Sequence, residues 1–164
     1  MPYVFSLHQE SLKRKFAVYV VVAKGAHDTK LYVGKTGDNR EGCNPLISRC
    51  GNHFSYNKIH SQVRNKLDDH EDRHYTYVFD HFDDYPEEDA QRRLCIDRIN
   101  EMERWLNEEI QKVTQRRQNL ELLNPYQAAG HVSAAEKKNR AALRTADCKI
   151  KISALVSEVE RQVG

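Results

Sequence analysis

Two short stretches decide the fold of this chain: FAVYVVVA at residues 16–23 and KLYVGKT at residues 30–36. The first is rich in β-branched and aromatic residues, which predicts a mostly buried strand. The second begins another strand at residues 31–34, and the loop between the two is short enough to make them a hairpin. Each strand carries a tyrosine, Tyr19 or Tyr32. The two phenols either fill the core or face a common pocket.

Helical and strand patterns follow the hairpin. Gly, Asn, Asp and Pro indicate a loop up to residue 45, with Asn44 as the N-cap of the next helix and Pro45 in its first turn. HYTYVFDHF, at 74–82, alternates like a third strand. The predicted helices cover residues 46–52, 57–67 and 86–113, and a capping box, SAAE at 133–136, opens a last helix that runs to about residue 163.

This order of elements predicts an α+β fold, in which a small three-stranded antiparallel sheet is flanked by helices and a C-terminal helix is added. We divide the chain into a main domain of residues 1–128 and a C-terminal helical extension of residues 129–164. The last helix has an apolar stripe that we expect to pack on the domain or on a second copy, with a partner-binding coiled coil as the alternative. The stripe consists of Ile152, Leu155, Val156, Val159 and Val163.

The composition argues against a membrane protein. No apolar run approaches the roughly 18 residues that a membrane helix needs, and the N-terminus lacks the residue order of a secretory signal. The four cysteines include no CxxC pair, which is typical of reduced thiols rather than of a disulfide framework. We therefore expect a cytoplasmic protein.

The net charge of +2 conceals a strong asymmetry along the chain. Residues 1–66 hold 11 Lys and Arg against 4 Asp and Glu, whereas residues 67–113 hold 6 against 15. A basic N-terminal half is typical of proteins that bind the phosphate backbone of a nucleic acid. Ordinary solvated charge is the alternative explanation.

The long helix predicted over 86–113 has a carboxylate on its apolar side. Its apolar residues fall within one sector of about 120°. Glu103 falls in the same sector, whereas the neighbouring Glu101 falls outside it. A buried carboxylate is costly unless it is paired or bound to a cation. Glu103 is therefore half of a buried ion pair, a residue at the sector edge that reaches water, or a metal ligand beside a phosphate site.

The short helix over 46–52 predicts a second pair of polar groups. Arg49 and His53 are four residues apart, so on a helix they share one face and can converge on one ligand. Arginine supplies a planar, permanently charged fork that fits a phosphate. Histidine can move a proton near neutral pH. With two tyrosines and an inward glutamate, this set supplies the groups that phosphodiester hydrolysis requires.

These residues resemble the paired signature of the GIY-YIG nuclease superfamily. AVY at 17–19 takes the place of GIY, and YVG at 32–34 takes the place of YIG. Arg49 and His53 are similar to the family's arginine and to the histidine or tyrosine one turn later. MERWL places Glu103 at the glutamate of a later helix.

The resemblance extends from residue 16 to about residue 125, with some departures. Asn124, in LLNP, fits the asparagine that follows the glutamate helix, with Asn119 as an alternative. Ala17 stands where the family has its first glycine. About ten extra residues precede the helix of Arg49, so Arg40 in that loop is a rival for the family arginine.

The resemblance implies a metal-dependent endonuclease that hydrolyses phosphodiester bonds in double-stranded DNA. In that reading, Glu103 binds one Mg²⁺ or Mn²⁺ ion, and Arg49 stabilises the charge that develops on the phosphate. Tyr19 or Tyr32 orients or deprotonates the attacking water, and a base role requires a lowered pKa. His53 orients the tyrosine or the water, or passes on its proton, and Asn124 supports the residues around them.

The chain is most similar to the restriction-enzyme or phage and mobile-element branch, whose members cut duplex DNA at short sequences and often act as dimers. We therefore expect sequence-specific cleavage and consider a homodimer. Amide side chains can read adenine edges, and basic side chains can hold phosphates. The predicted DNA contacts are Lys35, Arg40, Asn57, Lys58, Gln62, Arg64 and Lys66.

Two other functions are compatible with the same residues. A catalytically silent module with this fold would bind DNA or protein through its C-terminal helix. A zinc site would use Cys43, Cys50 and His53, although their spacing matches no common zinc finger and a fourth ligand is not obvious.

Overall fold

The computed structural model describes residues 1–37, 43–127 and 130–164. Within them lie four strands and four helices, together with three short 3-10 turns at Gln9–Leu12, Arg64–Lys66 and His70–Asp72. The strands are β1 (Lys15–Lys24), β2 (Thr29–Lys35), β3 (His74–Asp84) and β4 (Leu120–Leu122). The helices are α1 (Leu46–Phe54), α2 (Asp89–Gln115), α3 (Ala134–Leu143) and α4 (Ala146–Val163). The α+β class predicted from the sequence is confirmed.

The sheet is mixed and has the strand order β3-β1-β2-β4. β1 pairs antiparallel with β2, which is the predicted hairpin, and also antiparallel with β3, whereas β4 pairs parallel with β2. The prediction of three antiparallel strands is therefore wrong by one strand. β4 is only three residues long, too short for a periodic pattern, and its Leu120 and Leu122 are buried by their packing beside β2 and α2.

Both faces of the sheet are covered, which explains why β1 is apolar along nearly its whole length. On one face, Phe16, Val18 and Val20 pack with α2 and α4. On the other face, Tyr19 and Val21 pack with α1 and the loop that follows it. Because successive side chains of a strand point to opposite faces, a strand covered on both sides reads as a continuous hydrophobic run.

The single C-terminal helix predicted over 133–163 is divided into α3 and α4. The predicted cap is confirmed, since the Ser133 hydroxyl accepts a hydrogen bond from the Glu136 amide at 3.1 Å. A second cap, Thr145, accepts from the Cys148 amide and begins α4. The apolar stripe of α4 packs in the same core cluster as α2 and the sheet. The predicted boundary between residues 128 and 129 lies outside the described residues.

The helix predicted over 57–67 is wrong: a loop with a short 3-10 turn replaces it. The Asn57 side chain accepts hydrogen bonds from the Ile59 and His60 amides, which holds a turn in place of a helical start. Ile59 is 75% exposed, whereas Val63 is buried, so the apolar spacing did not correspond to one helical face. The cap of α1 is also shifted by one residue, to Pro45 rather than Asn44.

The prediction that Glu101 faces away from the core is wrong. Its side chain is 2% exposed and accepts hydrogen bonds from Arg104 and Arg144. Arg144 comes from the turn between α3 and α4, which covers this side of α2. A helical wheel of α2 alone cannot include that cover. No helix within residues 1–37, 43–127 and 130–164 has the length and apolarity needed to cross a bilayer.

Candidate active site

A polar cavity of about 210 Å³ opens on the α1 side of the sheet. Its walls come from β1, β2, α1, α2 and the loop after α1. Five residues that were predicted from the sequence to be catalytic line it together, although they come from elements as far apart in the chain as β1 and α2. The lining residues are Tyr19, Tyr32, Gly34, Lys35, Arg49, Asn52, His53, His60, Gln62 and Glu103.

Gly34 leaves room for the ring of Tyr19. The two residues are register partners across β1 and β2. A Cβ atom at position 34 would lie 2.4 Å from the Tyr19 hydroxyl and from the ring carbon that carries it. Any side chain at this position would therefore displace the phenol. The glycine that follows Tyr32 and Val33 is required so that the Tyr19 hydroxyl can reach α1.

His53 lies between two phenols. Its Nε2 atom is 3.0 Å from the Tyr19 hydroxyl, and its Nδ1 atom is 2.6 Å from the hydroxyl of Tyr77 on β3. The side chain is 3% exposed. Burial, followed by the nearby charge of Arg49, lowers the pKa of His53 from 6.5 to about 4. His53 is therefore neutral at physiological pH, with one N–H donor and one acceptor nitrogen.

Both predicted catalytic phenols keep their protons. Burial raises the pKa of Tyr32 to about 12, and the nearby Glu103 charge adds to that increase. Burial also raises the pKa of Tyr19 well above its usual value, with a further contribution from Tyr32. Arg49 acts in the opposite direction on both phenols, but desolvation is the larger effect. The lowered pKa that a base role requires is not found for either tyrosine.

Glu103 reaches the cavity from α2 and meets Lys35 at the end of β2. The Lys35 Nζ atom donates to Glu103 Oε1 at 3.0 Å. The Glu103 side chain is 29% exposed, so water and solutes can reach it. Glu103 points to β2, as the apolar sector predicted, but it is only partly buried, and its partner is an ammonium group at the cavity rather than a guanidinium in the core.

Asn124 lies outside the cavity wall and fixes the strand that forms it. Its Oδ1 atom accepts from the Val33 amide at 3.0 Å, and its Nδ2 atom donates to the Val33 carbonyl at 2.7 Å. The side chain thus imitates a neighbouring strand and holds Val33, which lies between Tyr32 and Gly34. Asn119 makes a different contact, because its backbone carbonyl accepts from the Thr29 amide.

The predicted DNA contacts lie in different parts of the structure, and only some of them are near the cavity. Lys35 and Gln62 line the cavity. Lys58 and Lys66 are exposed on the loop after α1. Arg64 donates to the Ser55 carbonyl at 2.8 Å and lies over the Tyr56 ring, so it stabilises that loop. Asn57 uses its side chain in the turn described above, and Arg40 lies outside the described residues.

Three residues at this site were not predicted from the sequence: Asn52 and His60, which line the cavity, and Tyr77, which contacts His53. Asn52 follows Arg49 by three positions on α1, which was a usable helical signal. Tyr77 alternates with Tyr75 and Phe79 on β3, so the strand pattern placed it on one face but not beside His53. His60 is on the loop that was predicted to be helical, and no pattern indicated its position.

No group of three or more metal-ligating side chains occurs within the described ranges. The alternative zinc site from Cys43, Cys50 and His53 is not assembled, since the Cys43 thiol donates to the Lys15 carbonyl at 3.0 Å and His53 is held by two phenols. Glu103 is the one carboxylate among the described residues that line the cavity.

No family model matches the chain, and neither a curated protein nor a solved structure matches it.

Proposed function

We propose that the chain is a metal-dependent endonuclease of the GIY-YIG type that hydrolyses phosphodiester bonds in double-stranded DNA. One observation carries the proposal: two phenols, a guanidinium, an imidazole and a carboxylate from four separate elements line one polar cavity. They are Tyr19, Tyr32, Arg49, His53 and Glu103. A cavity with these groups has donors and positive charge for a phosphate and a carboxylate for a cation.

The charged groups suit an extended anionic backbone. Arg49 and Lys35 bring positive charge to the cavity wall, where partial desolvation strengthens their attraction for a phosphate. Lys58 and Lys66, on the exposed loop nearby, extend this positive surface away from the cavity. Gln62 also lines the cavity, and its Oε1 atom would serve base recognition, because its Nε2 atom donates to the Ile59 carbonyl at 3.1 Å. Recognition of a short sequence and action as a homodimer belong to the same proposal.

A single carboxylate is compatible with Mg²⁺ or Mn²⁺. Magnesium usually keeps several waters and takes one or two carboxylates together with substrate phosphate oxygens. Glu103 would hold the ion, and the ion would supply Lewis-acid stabilisation of the scissile phosphate. Lys35 would then be released from Glu103 to pair with the DNA backbone.

The protonated phenols act by donating and orienting. Tyr19 and Tyr32 retain their protons at neutral pH because burial raises both pKa values. They therefore donate hydrogen bonds to phosphate oxygens or hold the attacking water in line. Arg49 stabilises the charge that develops on the phosphate, as a fixed guanidinium fork does for other phosphoryl groups.

The test is cleavage of a supercoiled plasmid with and without Mg²⁺. The wild-type protein should nick or linearise the plasmid only with the metal, and Glu103→Ala should lose cleavage while it retains DNA binding in a gel-shift assay. Glu121→Ala is the matched control, because Glu121 pairs with Lys30 on the same strand as Lys35 but away from the cavity. Cleavage by Glu103→Ala at the wild-type rate would reject the metal role.

The ion pair between Lys35 and Glu103 favours a second candidate, a catalytically silent module that binds DNA or protein. In that case the pair is permanent, and Glu103 only neutralises the cavity. The same plasmid assay separates the two functions. DNA binding by the wild-type protein without cleavage, in Mg²⁺ and in Mn²⁺, would establish the silent module.

A further inference from the structure

We propose that Tyr77 is a positioning residue: it donates a hydrogen bond to His53 Nδ1 and thereby directs the hydroxyl proton of Tyr19 into the cavity. The inference deepens the proposed nuclease function and rests on it for its kinetic consequence. The hydrogen-bond pattern itself can be measured in the absence of any reaction.

The two distances at His53 identify the donors. Hydrogen bonds donated by a hydroxyl are generally shorter, about 2.5–3.0 Å to oxygen, than those donated by an N–H, which are most often about 2.9–3.0 Å and seldom below about 2.7 Å. The separation of 2.6 Å between Tyr77 and Nδ1 therefore fits an O–H donating to the ring nitrogen. The separation of 3.0 Å between Nε2 and Tyr19 fits an N–H donating to the phenol oxygen.

Both assignments require the same tautomer. A neutral imidazole has one N–H, and this one carries it on Nε2. The opposite tautomer would need an N–H donor at 2.6 Å from Tyr77. It would also turn the Tyr19 proton toward His53 and away from the cavity.

The consequence concerns Tyr19. Its oxygen accepts from His53, so its own proton is directed toward the cavity that its hydroxyl lines. Because burial raises its pKa, the proton stays on the phenol. Tyr19 is therefore a hydrogen-bond donor to a bound phosphate oxygen or to water, and not the general base of the reaction.

The two hydrogen bonds at His53 form one chain of donors. Tyr77 donates to His53, and His53 donates to Tyr19. All members of the chain point in one direction, and aligned hydrogen bonds polarise one another.

The test compares Tyr77→Phe with Tyr75→Phe. Tyr75 lies on the same face of β3, but its hydroxyl donates to the His70 carbonyl at 2.6 Å, away from the cavity. In ¹⁵N-labelled protein, long-range ¹H–¹⁵N correlations of His53 should show a protonated Nε2 and an unprotonated, hydrogen-bonded Nδ1. Tyr75→Phe should keep both signals. Tyr77→Phe should move the Nδ1 resonance to its position without a hydrogen bond.

The kinetic arm uses plasmid cleavage. Loss of an orienting partner one step from the reacting groups typically costs about tenfold or more, so Tyr77→Phe should cleave about tenfold more slowly than Tyr75→Phe. Equal rates would overturn the positioning role and leave the nuclease proposal intact. A wild-type protein that does not cleave would overturn the nuclease proposal. The direction of the hydrogen bonds at His53 would then be tested by the ¹H–¹⁵N correlations alone.

Even if Tyr77→Phe does not fold, the ¹H–¹⁵N spectrum of the wild-type protein tests which ring nitrogen of His53 carries the proton. A protonated Nδ1 on His53 would show that His53 donates to Tyr77 and that Tyr19 donates to His53. That result would overturn the proposed direction of the whole chain.

Discussion

Two glutamates on α2 illustrate two different uses of a carboxylate. Glu101 is 2% exposed and is held by Arg104 and Arg144. Glu103, two residues later, is 29% exposed and meets Lys35 at the edge of a cavity. The first has guanidinium partners whose hydrogen bonds compensate its burial, and the second has one flexible ammonium partner and access to solvent.

The difference shows what the position of a residue on a helix can and cannot establish. Helical periodicity places Glu103 toward the sheet, and in the structure its side chain meets Lys35 of β2 while remaining partly exposed. Glu101 becomes buried because the turn between α3 and α4 covers it with Arg144. Trp105, stacked under the same guanidinium at 5.1 Å, completes that cover. The charge cluster at Glu101 is structural, and the cavity at Glu103 is the proposed site of chemistry.

The largest expected effect is on plasmid cleavage, when each of the two glutamates is replaced by glutamine in a separate variant. Glu103→Gln should reduce plasmid cleavage by about 10²- to 10³-fold, because it removes the proposed metal ligand, and should leave the thermal midpoint nearly unchanged. Glu101→Gln should cleave at the wild-type rate per folded molecule. Equal losses of cleavage in the two variants would show that Glu103 has no catalytic role that Glu101 lacks.

The cavity side should also be the acid-sensitive side. The folded pKa of His53 is about 4, below the ordinary value of 6.5. As the pH falls from about 6.5 to about 4, the unfolded imidazole takes up a proton that the folded one does not, so the free energy of unfolding should fall by at most about 3 kcal/mol. Urea denaturation across this range tests it, and His53→Gln should lose that part of the slope.

On the opposite side of α2, the expected effect is on stability. Glu101→Gln leaves Arg104 and Arg144 without their carboxylate, and the free energy of unfolding should fall by about 2 kcal/mol, since the two guanidinium groups retain access to water. Chemical denaturation measures the loss, with Glu109→Gln as a control from the same helix whose partner, Lys112, is exposed. A smaller loss for Glu101→Gln than for Glu109→Gln would contradict the structural role.

The smallest effect concerns how the cavity wall is packed. Gly34→Ala should reduce the free energy of unfolding by about 1–2 kcal/mol, because the new methyl group collides with the Tyr19 ring. Gly51→Ala, on α1, is the matched control: no atom lies within 4 Å of its added Cβ, and a helical alanine should stabilise the protein by about 0.5 kcal/mol. If Gly34→Ala is as stable as Gly51→Ala, the close approach of the phenol is not a constraint.

Much of the fold could be predicted because its main elements are locally encoded. The apolar run of β1, the helical spacing of α2 and the cap at Ser133 each depend on residues near one another in the chain. β4 could not be predicted, because three residues have no measurable period and the strand exists only beside β2. The turn at Asn57 and the cap at Thr145 are side-chain contacts that overrode a plausible helical pattern.

The sequence by itself determined the residue types from which the proposed phosphate chemistry is argued and, for Tyr19, Tyr32 and Glu103, the element that carries them. Only the tertiary structure decided their partners: Lys35 beside Glu103, Tyr77 beside His53, and Arg144 over Glu101. Periodicity specifies the direction of a side chain relative to its own helix or strand. Contacts between elements depend on how those elements pack, and at these contacts packing determines burial and pKa as well.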